Sequence, residues 1–568
     1  MITIDEIKKY KEYYTKELYD KTRKEQREDQ QYHDDTFDVS EVQSPHKVYR
    51  SGFGARMSDA PAEHVITSNP KAYIEQNGGS KEIGTRISKV VNDQWIPLLK
   101  WQNPNPPKEF VKNCLLRGES YIKLAHDEQW AKGNKPTIGL PIKFLIPDPM
   151  VIYASKHGTD EGIPDNVIVW YQRQALDVIV RYPTMEETLR RKFGDLKNKA
   201  VEWWEYWDKD VRYWECDGVA VLKDGIQKNL YGFAPFIRKY SGFGRESQDG
   251  ELSSLIVGDL RHSRDLIKEE CIFRSDIVSS HALFAHKPII VTTPGVINED
   301  DIKRLDLGAY GGSVINRWPP GSKFEDLNFD LYSPQAYQYL QQIRAELNAR
   351  CPYLMAGFPV GENARQQIEA QSAAGKRYAT IVENTEHAFS IAIKKAFDIC
   401  KEIPSLRPDI LHKEDLDIDF AIKVSLQASD PVEEDRKITL GDRLWNQGNG
   451  AIDLETFHTK FLGFTLEESS NIIDKMMADN LMLYDPAIKA VWGTAAAEEM
   501  GYGDLLEKAQ QMRMGLEEQQ KGLRENPPAT TTERVKGEVK TPVGRGMMDM
   551  ALSNRGQRKP PQPYKRGE

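Results

Sequence analysis

The side chains from which this chain could build chemistry are histidines, cysteines, paired carboxylates and two glycine-rich turns. The eleven histidines are dispersed. His262, His281 and His286 fall in one helical pattern, but intervals of 19 and 5 residues do not bring imidazoles to one helix face as metal ligands must be. Cys114, Cys216, Cys271, Cys351 and Cys400 are scattered, odd in number and never at CxxC spacing. That pattern argues for reduced thiols, hence assembly in a cytosol, and against a disulfide framework or a zinc site. Asp300-Asp301 and Glu433-Glu434 are adjacent acids of the kind an acidic chain keeps on its solvated surface. Ser51 to Arg56 and Ser241 to Glu246 are similar Gly-containing pieces whose N–H groups could form an anion nest. Neither has the following lysine or the strand-to-helix setting of a phosphate loop, so both read as turns. GxxxxGK[ST], HExxH and GxSxG are missing. The expectation is therefore no catalytic residue, no cofactor and no metal.

A different feature stands out once these are set aside. The stretch from Cys351 to Arg365, CPYLMAGFPVGENAR, places Leu354, Met355, Phe358 and Val360 where a surface turn should be polar. Two helices must position it. Before it, Pro334 suits a first helical turn with Ser333 as cap, and Tyr337, Leu340, Ile343 and Leu347 carry the period until Pro352. After it, Ala364 to Lys401 reads as one helix of about 38 residues, roughly 57 Å long. Its stripe is Tyr378, Ile381, Val382, Thr385, Phe389, Ala392, Ile393 and Ala396, and Gly375 is a place where it could bend.

Upstream, Ile4, Ile7, Tyr10, Tyr14 and Leu18 predict an amphipathic helix, and the polar run from Asp20 to Asp35 predicts a mobile connection. Further helices are predicted from Ile83 to Leu99 and from Glu109 to Arg117, with a strand from Ser120 to Leu124. The chain then reads as β-rich to Tyr240. Trp203, Trp204, Trp207 and Trp214 lie on two runs around Asp208-Lys209-Asp210, as a base-stacking surface or, the reading we favour, as cross-strand aromatic pairs. Glu251 to Phe284 returns to helix, and a compact segment with a strand-like Ile289 to Val291 and a short helix near Asp300 to Leu305 precedes Leu331. Asp430 to Leu516 reads as a separate helical unit.

At 568 residues, with 39% hydrophobic and 29% charged residues, the chain calls for roughly three or four modules of ordinary globular composition. No stretch approaches the roughly 20 apolar residues of a membrane span, and Met1 to Asp35 has no signal-like apolar core. Lys521 to Glu568 carries eleven Lys/Arg against five Asp/Glu, so of the net −9 this +6 tail leaves −15 for the remainder. Such a body does not resemble a protein that clamps nucleic acid by neutralising phosphates. The tail, rich in Pro, Gly, Thr and Arg, is expected to be disordered without a partner.

The order of these segments resembles that of the tailed-bacteriophage portal proteins, the rings at one capsid vertex through which DNA is packaged and ejected. Four pieces carry the likeness: FVKNCLLRGESYIKLA (Phe110 to Ala125), LYGFAPFIR (Leu230 to Arg238), the helix, apolar loop and long helix from Ser333 to Lys401, and Asn446 to Asp479, with GNGAIDLETFHTKFLGFTLEE. The resemblance implies an α+β portal fold: a mixed α/β wing over 1–250, a first stem helix over 251–286, a small α/β clip over 287–331 and a second stem helix over 332–350. It further implies a tunnel loop over 351–363, a long wing helix and return segment over 364–429, a helical crown over 430–516 and a basic tail over 517–568. On this likeness Leu354, Met355, Phe358, Val360, Glu362 and Asn363 would line the tunnel, and Arg261, Arg264, Lys268, Arg344 and Arg350 are candidates for facing the channel, or for ordinary inter-subunit and surface charges. Asp300, Asp301, Lys303, Arg304, Arg317 and Trp318 would belong to clip docking.

The implied partners are eleven further copies in a ring of twelve, double-stranded DNA held without sequence specificity, the packaging terminase, head-tail adaptor, major capsid and scaffolding proteins, and no membrane. The implied place is the virion portal vertex after assembly in the host cytoplasm. A channel must let DNA slide, so an acidic ring with few inward cations and an apolar loop suits it better than strong phosphate binding. The basic tail is not explained by the resemblance. Two other readings remain: a hydrolase-type enzyme using the apolar loop as a lid over its active site, or another head-tail adaptor or scaffold protein, disfavoured by length and by the long helix after the loop.

Overall fold

Thr3 and Glu6 start the first helix by capping each other: the Thr3 hydroxyl accepts from the Glu6 N–H, and the Glu6 carboxylate accepts from the Thr3 N–H at 2.8 Å. The computed structural model describes residues 2–40, 48–76, 81–126, 133, 141–222, 225–285, 289–292, 294, 321, 323–326, 334–351, 375–427, 431–446 and 450–484. The chain is α+β. Its order begins with helix α1 (Ile4–Tyr13), extended by a π turn to Leu18, then α2 (Asp20–His33), α3 (Phe53–Val65), strand β1 (Ile66–Gln76), α4 (Lys81–Val90), α5 (Ile96–Trp101) and α6 (Pro106–Arg117). Strands β2 (Glu119–His126), β3 (Ile142–Leu145), β4 (Ile152–Ala154) and β5 (Asn166–Gln174) follow, then α7 (Ala175–Arg181), α8 (Glu186–Phe193), β6 (Ala200–Asp208), β7 (Val211–Cys216), β8 (Val219–Ala220), β9 (Gln227–Lys228) and β10 (Phe236–Tyr240). The second half has α9 (Leu252–Leu255), α10 (Arg264–Ala285), β11 (Ile289–Thr292), β12 (Lys323–Asp326), α11 (Pro334–Arg350), α12 (Ala379–Glu402), β13 (Phe420–Gln427), α13 (Pro431–Trp445), α14 (Leu454–Thr456) and α15 (Leu466–Tyr484).

The polar run after Leu18, expected as a mobile connection, is the helix α2. Its inner face is held by polar pairing, which an apolar period does not register. Arg23 faces Glu119 at 3.3 Å with both side chains buried. Gln26 donates to the Arg117 carbonyl at 2.8 Å, and Arg117 donates back to the Gln26 carbonyl at 2.9 Å. Tyr32 stacks on Phe37 at 4.5 Å. Against this helix α3 packs so closely that a Cβ on Gly54 would lie 2.1 Å from the Tyr32 carbonyl oxygen, so only glycine fits.

Helix α6 begins where Asn105 accepts from the Lys108 N–H at 3.2 Å, with Pro106 and Pro107 in its first turn. It ends at Gly118, whose φ of +82° is the left-handed conformation of a helix C-cap. From there β2 enters a three-stranded antiparallel sheet in the order β10-β2-β3. A second sheet runs β4-β5-β6-β7-β8 with β9 on β7, and β1 pairs antiparallel with β13 across most of the chain's length.

All eight residues of the stripe expected on the long helix are buried. Phe389 packs edge-on against Phe110, and Phe397 against both Trp95 and Phe420, so α12 joins the three-stranded sheet, the α4–α5 region and β13 in one core. The helix is interrupted where the sequence predicts continuity. Gly375 and Lys376 are helical, Arg377 and Tyr378 form a turn, and α12 starts at Ala379; residues 364–374 lie outside the described ones. The break comes two residues after Gly375, where Tyr378 is buried and Arg377 reaches a buried carboxylate.

Helix also stops short of the predicted Glu251 to Phe284 span: α9 is one turn, Asp259–Ser263 is a 3-10 turn, and α10 begins at Arg264. Ile256 and Val257 are buried between them, and the Ser241 hydroxyl donates to the Val257 carbonyl at 2.6 Å, so this segment is pinned in a non-helical path. The chain divides into two compact units, Met1–Lys475 and Met476–Glu568, the second described only over 476–484 in the last part of α15.

Candidate functional site

Helices α10 and α11 place the apolar segment and the small ribbon that the sequence singles out. Arg350 of α11 lies at His262 and Ser263, Arg344 meets Glu270 at 3.1 Å, and Tyr339 meets Phe273 with ring centroids 5.1 Å apart. Rising numbers on one helix meet falling numbers on the other, so the two are antiparallel. Between them β11 and β12 pair antiparallel, with Ile289 opposite Asp326 and Thr292 opposite Lys323. The unit is thus helix, two-stranded ribbon, helix.

Its packing is narrow. Leu340, Ile343 and Leu347 are buried on α11, and Ile343 and Leu347 share a cluster with Leu260, Ile267 and Cys271 and with Phe37, Phe53 and Met57. Toward the ribbon end Tyr337 and Tyr339 of α11 and Val278 of α10 are exposed.

The segment 352–374 lies outside the described residues, and its two flanks meet. Tyr378 Oη donates to the Arg350 carbonyl at 3.4 Å. On the leading flank, Arg56 donates to Asn348 Oδ1 at 2.8 Å and to the Cys351 carbonyl at 3.3 Å, its guanidinium stacked over Phe53. On the returning flank, Arg377 pairs with Asp259 at 2.7 Å; burial pushes the Asp259 carboxyl above its ordinary range despite that arginine. Arg350 donates to the His262 carbonyl and to Ser263 Oγ. The Asp259–Ser263 turn is therefore the common anchor of both flanks.

The same turn and the start of α10 are tied to α2 by arginines. Arg264 reaches Asp29 at 2.7 Å and both Glu25 and Glu28 at 2.8 Å, while Arg261 reaches Asp29 at 3.4 Å and donates to the Ser253 carbonyl at 3.0 Å. Of the basic residues singled out in the sequence, Arg261, Arg264, Arg344 and Arg350 thus have partners within the chain. Lys268 is half-buried, and its charge acts on Tyr32. Leu354, Met355, Phe358, Val360, Glu362 and Asn363 lie outside the described residues, as do Asp300, Asp301, Lys303, Arg304, Arg317 and Trp318.

The tryptophans take the cross-strand role. Trp203, Trp204 and Trp207 are buried. Trp203 and Trp207 donate to the buried Glu205 carboxylate at 3.1 and 3.0 Å, and Trp204 donates to Glu215 at 2.9 Å. Glu205 also accepts from Lys123 at 2.7 Å. Composition signalled the aromatic pairing; the carboxylates that satisfy the indole N–H groups were not read, although alternation put Glu205 and Glu215 on the same strands.

The five cysteines are free and buried. Burial pushes Cys400 up to about 12 and raises Cys271 and Cys351, which disfavours the thiolate form at each. Among the described residues no group of three or more His, Cys, Asp and Glu side chains is arranged to hold a metal ion. No described helix is long and apolar enough to cross a membrane.

No protein-family model matches the chain, and no curated protein sequence matches it. Among solved structures it is similar to the neck of an empty gene transfer agent (GTA) particle computed with C6 symmetry, at 11% identity and a TM-score of 0.37, over 72% of this chain and 90% of that one. It is also similar to the neck of the native GTA particle computed with C12 symmetry, at 11% identity, TM-score 0.35, over 72% and 89%. A third is the virion of the native GTA particle, at 11% identity, TM-score 0.34, over 72% and 89%.

Proposed function

We propose that this chain is the portal subunit of a phage-type particle, a non-enzymatic ring component through which double-stranded DNA is packaged and ejected. The observation that carries the reading is the helix, ribbon, helix unit: α10 and α11 run antiparallel, bracket β11–β12, and lead into a segment whose flanks are pinned together. A helix pair joined by a narrow apolar stripe, with Tyr337, Tyr339 and Val278 exposed, gains its remaining burial from neighbouring copies. In a ring, α10 and α11 form the stem, the β11–β12 region the clip that docks the terminase and then a head-tail adaptor, and 351–363 the tunnel loop. Residues 1–250 and α12 form the wing, and the helices from Pro431 onward the crown. Capsid and scaffolding proteins are the further partners.

Arg261 and Arg264, balanced by Asp29, Glu25 and Glu28, act in this reading as ties between stem and wing. Lys268, Arg344 and Arg350 are the remaining candidates for meeting DNA, Arg344 while paired with Glu270 and Arg350 while held at His262 and Ser263. The test is an end-on electron micrograph of the purified full-length chain, with native mass measurement beside it. Rings of about twelve copies with an axial hole are expected; monomer or dimer alone at high concentration overturns the reading.

A further inference from the structure

Where β10, the turn joining β4 to β5 and the middle of α12 meet, the surface opens into a cleft of about 450 Å³. Basic side chains line it from two of them, Lys156 and His157 from the turn and Arg238 and Lys239 from β10, while α12 lines it with Asn384 and places His387, one turn further on, against Lys239 at its edge. Arg238 is only 8% exposed, and its guanidinium donates to the carbonyls of Ser155 at 2.8 Å and Lys156 at 3.0 Å. It therefore shapes the turn and leaves a fixed positive charge in the cleft wall.

Lys239 is placed against another base. Its ammonium lies 2.9 Å from His387 Nδ1, which accepts only while the imidazole is neutral. Burial pushes the Lys239 pKa down, and burial together with Lys239 pushes His387 down. Glu161 is engaged with Lys395 at 3.0 Å, and Glu246 with Lys156 at 2.8 Å, a pair that partly balances Lys156 and leaves Arg238 and Lys239 as the main positive charge of the cleft. Gly162 lets the turn pack directly on β10 beside Lys239: a Cβ there would stand 2.5 Å from the Arg238 carbonyl oxygen and 3.5 Å from the Lys239 ammonium. A concave surface with several cationic groups and a base-to-base contact is completed by an anion, which restores the charged form of both partners.

We propose that this cleft binds a phosphate group, with Lys239 and, from the edge, His387 donating to its oxygens and Arg238 supplying the surrounding positive charge. Cationic groups from the turn and from β10, with His387 at the edge, suit a dianion better than a single carboxylate. The cleft also exceeds one phosphate and has room for an attached sugar. A free nucleotide and a DNA backbone offer the same group, and they separate by salt dependence. The inference concerns a single copy of the chain and does not rest on ring assembly.

The test melts the full chain in inorganic phosphate and in chloride at matched ionic strength, with wild type beside Lys239→Gln and His387→Asn. Phosphate is expected to raise the wild-type melting temperature above the chloride value, the increment growing with the logarithm of concentration, and each variant to lose most of it. His387 is exposed, so His387→Asn preserves the fold and decides the matter even if Lys239→Gln does not fold. No wild-type increment, an equal increment in the variants, or an equal increment with acetate overturns the proposal. A second arm titrates dAMP and a mixed-sequence duplex. Duplex affinity that falls with salt, with a slope reduced by about one in Lys239→Gln, assigns the phosphate to a DNA backbone; variant-sensitive dAMP binding with unchanged duplex affinity assigns it to a free nucleotide.

Discussion

Glu119 shows how much of this protein is held by single buried charges. Its carboxylate is fully buried, faces Arg23 and accepts from the Tyr121 hydroxyl at 2.8 Å. Glu119→Gln leaves the buried Arg23 guanidinium without its counter-charge, an expected loss of about 3–5 kcal/mol, read by urea unfolding followed through tryptophan fluorescence. A loss below about 1 kcal/mol, the range of a solvent-screened pair, would contradict a buried tie. His33 is a milder case. It lies 2.7 Å from Asp34 and 3.3 Å from Asp59, which also meets Lys112 at 2.9 Å. Its hydrogen bond to Asp59 holds His33 above its ordinary pKa. Burial would raise Asp59, but hydrogen bonds from His33 and Lys112 prevail and hold it at about 2. The raised histidine stabilises the fold below its unfolded value of about 6.5 and loses that contribution as pH rises through its folded value. The depressed aspartate contributes above about 3.9 and loses it as pH falls through about 2. The melting difference between wild type and His33→Gln should therefore be largest between about pH 4 and pH 6.5. A difference that stays constant from there to pH 9 would rule this clamp out.

The helices differ in how plainly they were written. The stripe of α12 was legible because apolar residues face an apolar core, and every member of it is buried. Helix α2 was not, since Arg23, Gln26 and Asp29 are buried through ion pairs and hydrogen bonds to partners roughly 90 to 240 positions away, outside any local window. The β1–β13 pairing was equally hidden, because its strands are separated by most of the chain. The Asp259–Ser263 turn belongs with these: the sequence reads as continuous helix there, and packing of Ile256 and Val257 interrupts it. That turn gathers Arg350 and Arg377 from the two flanks of the apolar segment. Arg377→Gln removes the returning tie and leaves the α10–α11 stripe untouched. Amide exchange should quicken at Arg350, Cys351 and residues 375–378, with the interior of α10 unchanged; unchanged exchange at the flanks would show that Asp259 does not anchor them.

Taken whole, the chain joins an acidic α+β body to a helix, ribbon, helix unit and an apolar segment with converging flanks. The tryptophans bear on which parts can meet DNA. With Trp203, Trp204 and Trp207 buried against Glu205 and Glu215, the six-stranded sheet offers no stacking platform from those rings. In the proposed ring, contact with DNA is then assigned to the stem cations and to the apolar segment with Leu354, Met355 and Phe358. Because Tyr378 bridges to the Arg350 carbonyl at 3.4 Å, residues between the flanks can be shortened without stretching the chain. Deleting 354–363 should therefore leave ring formation at the wild-type level while packaged DNA leaks or fails to accumulate, measured by end-on imaging and by nuclease-protected DNA in assembled particles. Rings that hold DNA as wild type does would move the constriction away from this segment. Loss of rings would instead give the segment a part in assembly, which its pinned flanks argue against.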